Sequence, residues 1–320
     1  MFMKIVFMGS PDFSVPSLRR LLESKHHISA VVTQPDRPRG RGKKLIPTPV
    51  KQFAVSKGLT VLQPQKLHEI KDRLKEIKPE VIVVVAFGKI LDREIIDLPF
   101  YGCINVHASL LPKYRGAAPI HRAVINGESV TGITTMFMDT GLDTGDILLK
   151  DTVTIGSEDT AGDVHDRLAE KGARLLVKTL DLLEAGEIVR VPQNDEEASY
   201  APPLTGSDEI INWDQPAKDI KNLVRGMNPW PGARTFLNGK VLKIWRVEST
   251  GAGKGTSSPG TVVDVNTDEG IKVQVGDGYI MITELQLQGG KRMDAPQFLR
   301  GHSLSPGAIL GNNTGKEGMK

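Results

Sequence analysis

An unbroken apolar run from Val81 to Ala86 constrains the fold of the first half of the chain more than any other feature. It is rich in valine, and a strand without polar alternation is typical of a parallel sheet covered on both faces. Other short apolar segments alternate with segments of helical periodicity up to about residue 190. The pattern predicts an α/β fold with a Rossmann-like, mostly parallel sheet and helices on both faces.

The composition changes between residues 191 and 208, where prolines and polar residues show no clear period. This segment is predicted to be a linker. Beyond it, short alternating segments are separated by glycine, asparagine and aspartate turns, among which Asn238-Gly239 is a strong hairpin signal. We therefore predict domains at residues 1–190 and 209–320, the second an OB-like β-barrel with a disordered tail from about residue 311.

Composition and charge exclude several classes of protein and several kinds of site. The chain has 320 residues, a formal net charge of +3 and a single cysteine. One cysteine excludes an internal disulfide and a metal site built from cysteines, and Cys103 is expected to be a small buried side chain. The sequence shows neither a signal-peptide pattern nor an apolar run that could span a membrane, so a cytoplasmic protein is expected.

A candidate active site lies where one predicted strand ends. On the strand from Cys103 to His107, Asn105 and His107 are two residues apart and project to the same face. A second strand, Thr131 to Met138, is followed by a loop that holds Asp139 and Asp143. Ligands of open α/β sheets bind beyond the carboxyl ends of strands. An amide donor, an imidazole and a carboxylate at the carboxyl ends of neighbouring strands suit acyl or one-carbon transfer. Residues of these types at strand ends more often serve only as hydrogen-bonding groups without a catalytic role.

The segment Ser109-Leu110-Leu111-Pro112 follows directly. Proline lacks the amide donor that a strand needs, so the strand ends here. Its two leucines either line an apolar ligand pocket or pack within a buried loop.

A cluster of positive charge interrupts the alternating pattern after the second strand. Residues 34–49 show no periodicity and contain cations separated by glycine and proline: Arg37, Arg39, Arg41, Lys43 and Lys44. Such a run is either a solvated, mobile surface loop or a contact for the phosphates of a nucleic acid. The residues alone favour neither interpretation.

Several segments together resemble the folate-dependent formyltransferases, and most closely the methionyl-tRNA formyltransferase family. They are Asn105-Val-His107, Ser109-Leu-Leu-Pro112, Arg115-Gly-Ala-Ala-Pro119 and Met138-Asp-Thr-Gly-Leu-Asp143-Thr-Gly145. The resemblance runs from Lys4 to about Gly290, and the combination is specific whereas no single segment is.

The resemblance implies transfer of a formyl group from 10-formyltetrahydrofolate, as co-substrate and without a metal, to the α-amine of methionyl initiator tRNA. It implies a catalytic set of Asn105, His107 and Asp143, in which Asn105 and His107 donate to the oxyanion and Asp143 orients His107. Asp139, in the same loop, falls outside the match. The implied folate-binding residues are Val85, Ala86, Phe87, Gly88, Ile90, Ser109, Leu110, Leu111 and Pro112.

In this family the insertion that matches the basic loop enters the acceptor stem, and the barrel helps to hold the tRNA. The resemblance therefore assigns tRNA binding to the five cations of the loop, with Arg41 favoured, in a protein expected to be a monomer. Three alternatives stay open: a formyltransferase for a small amine such as a ribotide or an amino sugar nucleotide, a hydrolase that releases formate from the folate, and a catalytically silent nucleic-acid-binding protein.

Overall fold

The computed structural model of the chain describes residues 2–39, 44–252 and 255–311, and leaves the side chains at positions 39, 44, 251 and 252 aside. Two compact units account for the chain. The first unit comprises Met1–Pro119, Val130–Thr154 and His165–Ala201, and the second comprises Ile120–Ser129, Ile155–Val164 and Pro202–Lys320. The segment predicted as a linker is thus divided between the units, and the predicted domain boundaries stay a prediction.

The first unit is built on a mostly parallel sheet, as predicted. Its strands lie in the order β5-β2-β1-β6-β7-β8-β9, with β8 antiparallel to both of its neighbours and the first five parallel. The strands are β1 (Lys4–Gly9), β2 (His27–Val32), β5 (Val61–Leu62), β6 (Val81–Val85), β7 (Cys103–His107), β8 (Val130–Phe137) and β9 (Ile147–Thr154). A short antiparallel pair, β3 (Arg37–Arg39) and β4 (Lys44–Ile46), forms a separate sheet.

Helices lie along the chain between and after these strands. In the described residues they are α1 (Val15–Leu22), α2 (Pro49–Ser56), α3 (Lys71–Ile77), α4 (Arg93–Ile96), α5 (Pro119–Ile125), α6 (Ala161–Ala185), α7 (Ala217–Gly226) and α8 (Ala295–Gly301). Short 3₁₀ helices occur at Asp12–Ser14, Leu67–Ile70 and Asp195–Glu197.

Both faces of the parallel sheet are covered, which explains the apolar run in β6, where every residue is buried. On one face, Val84 and Cys103 pack with side chains of α3 and α4 in a single hydrophobic cluster. On the other, α6 lies so close at Gly172 that an added Cβ would lie 3.1 Å from Val106. Because Asn105 and His107 alternate with Val106, they share the face of Cys103.

The second unit contains an antiparallel β-sheet with the strand order β10-β11-β14-β13-β12 and β15 paired to β14. Its strands are β10 (Ala233–Leu237), β11 (Lys240–Ala252), β12 (Val262–Asn266), β13 (Gly270–Val275), β14 (Gly278–Leu287) and β15 (Met293–Asp294). Buried side chains of α7 and α8, among them Val224 and Phe298, pack into the core that these strands form with Trp213. The predicted fold class, an α/β unit followed by a small antiparallel β domain, is confirmed.

The structure departs from the sequence prediction in three places. The basic loop was predicted to lack regular structure, but β3 and β4 pair on either side of residues 40–43, with Arg37 opposite Ile46. The helices α4 and α8 were not predicted.

In the described part of the chain, no helix is long and apolar enough to cross a membrane.

Candidate active site

The predicted catalytic side chains Asn105 and His107 lie at the carboxyl end of β7, next to β8. The register places Asn105 opposite Met136 and His107 opposite Thr134. His107 is buried, with 6% of its surface exposed, and Asn105 is half-buried. Asp143 joins them, because Nδ2 of Asn105 donates to its Oδ1 at 3.4 Å and Nδ1 of His107 lies 3.6 Å from its Oδ2. The structure therefore brings together all three residues.

The two nitrogens of the His107 ring have different surroundings. Nε2 lies 2.9 Å from the carbonyl oxygen of Tyr114. Because a carbonyl oxygen only accepts, this contact makes Nε2 the nitrogen that carries a proton in the neutral ring. Nδ1 is then the nitrogen that gains and loses a proton, and it faces Asp143 and the side of Asn105. A ring held in this way can deliver a proton from Nδ1 to a group bound beside it.

Asp143 is fixed in an unusual backbone conformation, with φ at 54°, in the left-handed region that few non-glycine residues adopt. Its Oδ2 accepts a hydrogen bond of 2.8 Å from the backbone N–H of Gly116. Two residues later, a Cβ at Gly145 would lie 1.9 Å from the carbonyl oxygen of Phe137, so only glycine fits there. The loop thus presents the carboxylate toward the end of β7, with 16% of the side chain exposed.

The other aspartate of this loop, Asp139, makes local contacts. Its carboxylate accepts from the backbone N–H of Gly141 at 3.0 Å and from the Thr144 hydroxyl at 2.7 Å. These bonds close the turn. The geometry therefore agrees with the choice of Asp143 over Asp139 as the partner of His107.

The residues predicted to bind folate differ in how far they are exposed. Val85, Phe87, Ser109 and Leu111 are buried, whereas Ala86, Gly88 and Ile90 are exposed and Leu110 and Pro112 are half-buried. The Ser109 hydroxyl donates to the carbonyl oxygen of Lys113 at 2.6 Å. Leu111 packs with Met136 and Ile147, and precedes a cis peptide bond to Pro112. Folate binding by these residues stays a prediction.

The predicted tRNA-binding cations lie only partly in the described residues. Arg41 and Lys43 are outside them, and of Arg39 and Lys44 only the backbone is described. Arg37 is exposed and its Nη2 donates to Oε1 of Gln34 at 3.0 Å. The tRNA contacts of the five cations stay a prediction.

Cys103 behaves as predicted. It is 1% exposed, and burial raises the pKa of its thiol to about 12. A thiol that stays protonated is a poor nucleophile. Cys103 is therefore a packing residue, four positions before His107 on the same strand.

Several groups around the site were not singled out from the sequence. They are the backbone N–H of Gly116, the carbonyl of Tyr114 and the side chain of Gln193, which donates to the carbonyl oxygens of Asp143 and Gly145 at 2.8 Å each. Backbone groups carry no residue-type signal. Gln193 lies in the segment predicted as a linker, where no periodicity marks it.

A metal site requires a cluster of ligand side chains, and the described part of the chain does not supply one. Within residues 2–39, 44–252 and 255–311, no group of three or more His, Cys, Asp or Glu side chains is placed to hold a metal ion. The side chains that meet at the site offer hydrogen-bond donors and acceptors.

Comparison with known proteins adds an independent observation. Residues 3–180 match the family model described as formyl transferase, and residues 203–303 match that of the formyl transferase C-terminal domain. The methionyl-tRNA formyltransferase of Pelotomaculum thermopropionicum is 58% identical over 97% of this chain and 99% of its own. The chain belongs to the methionyl-tRNA formyltransferase family. The member of the family from Desulforamulus reducens is 54% identical over 98% of this chain and 99% of its own.

Solved structures agree with this family at the level of fold. HypX from Aquifex aeolicus in complex with tetrahydrofolic acid has a TM-score of 0.65 with 18% sequence identity, and covers 93% of this chain and 47% of its own. At that identity the likeness concerns the fold alone.

Proposed function

We propose that this protein transfers the formyl group of 10-formyltetrahydrofolate to the α-amine of methionine esterified to initiator tRNA. The product enters translation initiation. Two observations carry the proposal. The chain is 58% identical to a methionyl-tRNA formyltransferase over 97% of its length, and the side chains of Asn105, His107 and Asp143 lie together.

The reaction forms one C–N bond and breaks another. The neutral α-amine attacks the formyl carbon, and the formyl oxygen gains negative charge in a tetrahedral intermediate. The bond between that carbon and N10 of the folate then breaks, its electron pair stays on N10, and N10 takes up a proton while the new amide nitrogen loses one. An enzyme therefore needs a donor for the oxyanion and a group that moves a proton.

The three side chains fit these roles. The Asn105 amide has two N–H groups, and its hydrogen bond to Asp143 is long at 3.4 Å, so it can turn a donor toward the oxyanion. Protonated His107 donates through Nδ1 and can pass that proton to N10. The Asp143 carboxylate, 3.6 Å from Nδ1 of the ring, orients it.

The decisive experiment measures formyl transfer from 10-formyltetrahydrofolate to methionyl initiator tRNA, with uncharged tRNA and free methionine as controls. We expect formylation of the charged tRNA alone, because the nucleophile is the esterified α-amine and the tRNA provides the binding surface. Transfer to amino sugar nucleotides or ribotide amines instead of the charged tRNA would contradict the proposal, as would release of formate without an acceptor.

The basic loop gives a second prediction. We expect Arg41→Ala to raise KM for the tRNA about thirtyfold, since a hydrogen bond to a charged group is worth on the order of 2 kcal/mol. The slope of log KM against log salt concentration should fall by about one, because one fewer counterion is released from the tRNA. The measurement is initial rate against tRNA concentration at several salt concentrations.

Arg73→Ala is the matched control for Arg41. Arg73 is an exposed arginine on α3 whose Nη1 lies 2.7 Å from Oε2 of Glu76. Its removal should leave both KM and the salt slope unchanged. If the Arg41 variant behaves like this control, the loop is a solvated surface without a tRNA contact.

The remaining assignments follow from this function. The charged tRNA is present where ribosomes work, so we propose a cytoplasmic protein that acts as a monomer, with the OB-like domain assisting tRNA binding. Size-exclusion chromatography with light scattering tests the oligomeric state, and a second peak of twice the mass would contradict it.

A further inference from the structure

A buried arginine lies next to the candidate active site and is not used by the chemistry above. Arg115 is 2% exposed and is one of the largest fully buried side chains. Its Nε and Nη2 donate to the same oxygen, Oε1 of Gln193, at 3.1 and 2.9 Å, and Nη2 also donates to Oδ1 of Asp195 at 2.8 Å. Burying a guanidinium is costly unless it is paired and hydrogen-bonded, so these contacts make the position tolerable.

The arginine fixes the orientation of the Gln193 amide. A guanidinium only donates, so the amide oxygen must face Arg115 and the amide nitrogen must face the other way. That nitrogen donates to the carbonyl oxygens of Asp143 and Gly145, both at 2.8 Å. One side chain therefore holds the backbone on both sides of Thr144.

The residue after the arginine holds the same aspartate from its other end. The backbone N–H of Gly116 donates to Oδ2 of Asp143 at 2.8 Å. The main chain of Arg115 is itself anchored, because its N–H donates to the Ser199 carbonyl at 2.8 Å and its carbonyl accepts from Ala201 N–H at 2.7 Å. Asp143 is thus restrained at its carbonyl by Gln193 and at its carboxylate by the N–H of Gly116.

This restraint keeps both the backbone conformation and the carboxylate of Asp143 in place. Asp143 has φ at 54°, and non-glycine residues stay in that region only where their surroundings determine it. Its carboxylate must stay within 3.6 Å of Nδ1 of His107 to orient the ring. Without the Gln193 donors, the loop would be free to relax toward commoner backbone conformations and carry the carboxylate away from the ring.

We propose that Gln193, oriented by Arg115, is a positioning residue that sets Asp143 for the transfer reaction. This inference rests on the proposed role of Asp143 in formyl transfer. It assigns a function in the first unit to the segment after α6, which the sequence marks only as a linker.

Gln193→Glu tests the proposal. The carboxylate keeps an acceptor for Arg115 but turns an acceptor toward two carbonyl oxygens, so both bonds to the Asp143 loop are lost. We expect kcat to fall about tenfold to a hundredfold, the size of effect that a misplacement of about 1 Å produces. KM for the tRNA should change less than about threefold, because the lost bonds do not contact the tRNA in the proposed mechanism.

Gln274→Glu is the matched control. Gln274 is a buried glutamine in β13 of the second unit whose Nε2 also donates to two backbone carbonyls, those of Val275 at 3.0 Å and Gly278 at 2.9 Å. The same substitution there should lower the melting temperature and leave kcat unchanged. Melting curves of both variants establish that the enzyme is folded at the assay temperature, and Gln193→Met replaces Gln193→Glu if the latter is not.

A double-mutant cycle identifies the route of the effect. In an Asp143→Asn background, Gln193→Glu should lower kcat by no more than about twofold further, since the group that it positions is already altered. An unchanged kcat in the single variant, or a full additional loss in the double variant, overturns the inference. Absence of formyl transfer by the wild-type enzyme would instead overturn the proposed function, and this inference with it.

Discussion

Replacement of His107 by alanine is expected to lower kcat for formyl transfer by about 10² to 10⁴-fold, the range in which a positioned acid–base group contributes. The ring is buried, its Nε2 is engaged with the Tyr114 carbonyl at 2.9 Å, and its Nδ1 faces Asp143. Alanine removes the proton carrier without placing another group near N10. Single-turnover kinetics with saturating folate and charged tRNA measure the effect directly.

His27→Ala is the control for this prediction. His27 is exposed and begins β2, at the amino end of a parallel strand, whereas His107 ends β7 at the carboxyl end. The two histidines therefore lie at opposite ends of the parallel strands in one sheet. The His27 variant should retain wild-type kcat. Folate binding by the His107 variant, measured by calorimetric titration, should stay within a few-fold of wild type. A His107 variant with normal kcat would remove the residue from the mechanism.

Asn105→Ala is expected to lower kcat by about 10² to 10³-fold, the effect of losing one oxyanion donor. The half-buried amide lies two residues before His107 on β7, and its Nδ2 donates to Oδ1 of Asp143 at 3.4 Å. The loss should appear in kcat more than in KM for the folate, because the charge on the formyl oxygen develops only on the way to the intermediate.

Asn105→Asp sharpens the test of the oxyanion donor. It keeps the shape of the side chain, removes both N–H groups and places a negative charge near Asp143. We expect kcat at least as low as in the alanine variant. Asn266→Ala serves as a control, since Asn266 caps the turn between β12 and β13 through bonds of 2.8 and 3.2 Å to Asp268 and Glu269 N–H. Rates near wild type in Asn105→Asp would show that no N–H at this position is needed.

Local sequence was sufficient for elements whose signals lie within a few residues. The apolar run in β6 predicted a strand covered on both faces, and its five residues are buried. Helix α6 begins at a capping box in which Thr160 Oγ1 accepts from Asp163 N–H at 3.2 Å and Asp163 Oδ2 accepts from Thr160 N–H at 2.9 Å. Both elements have signals that lie within a few residues along the chain.

Other elements had weaker or no local signals. Helix α4 has only four residues, too few to show a helical period. Helix α8 did carry a signal, since Asp294 caps it by accepting from Gln297 N–H at 2.6 Å and a proline occupies its first turn.

The candidate site also combines features that local sequence predicts with features that only folding creates. The period of two along β7 was enough to place Asn105 and His107 side by side. By itself, the sequence determined the strand, its polar end and the type of chemistry that those residues allow. The resemblance selected Asp143 over Asp139, but only the tertiary structure showed the distance of its carboxylate from the ring and the contacts by which Arg115 and Gln193 hold its loop. The physical reason is that strand and helix periods act over a few residues, whereas Gln193 lies 78 positions from Arg115 and 50 from Asp143, and is brought to them only by folding.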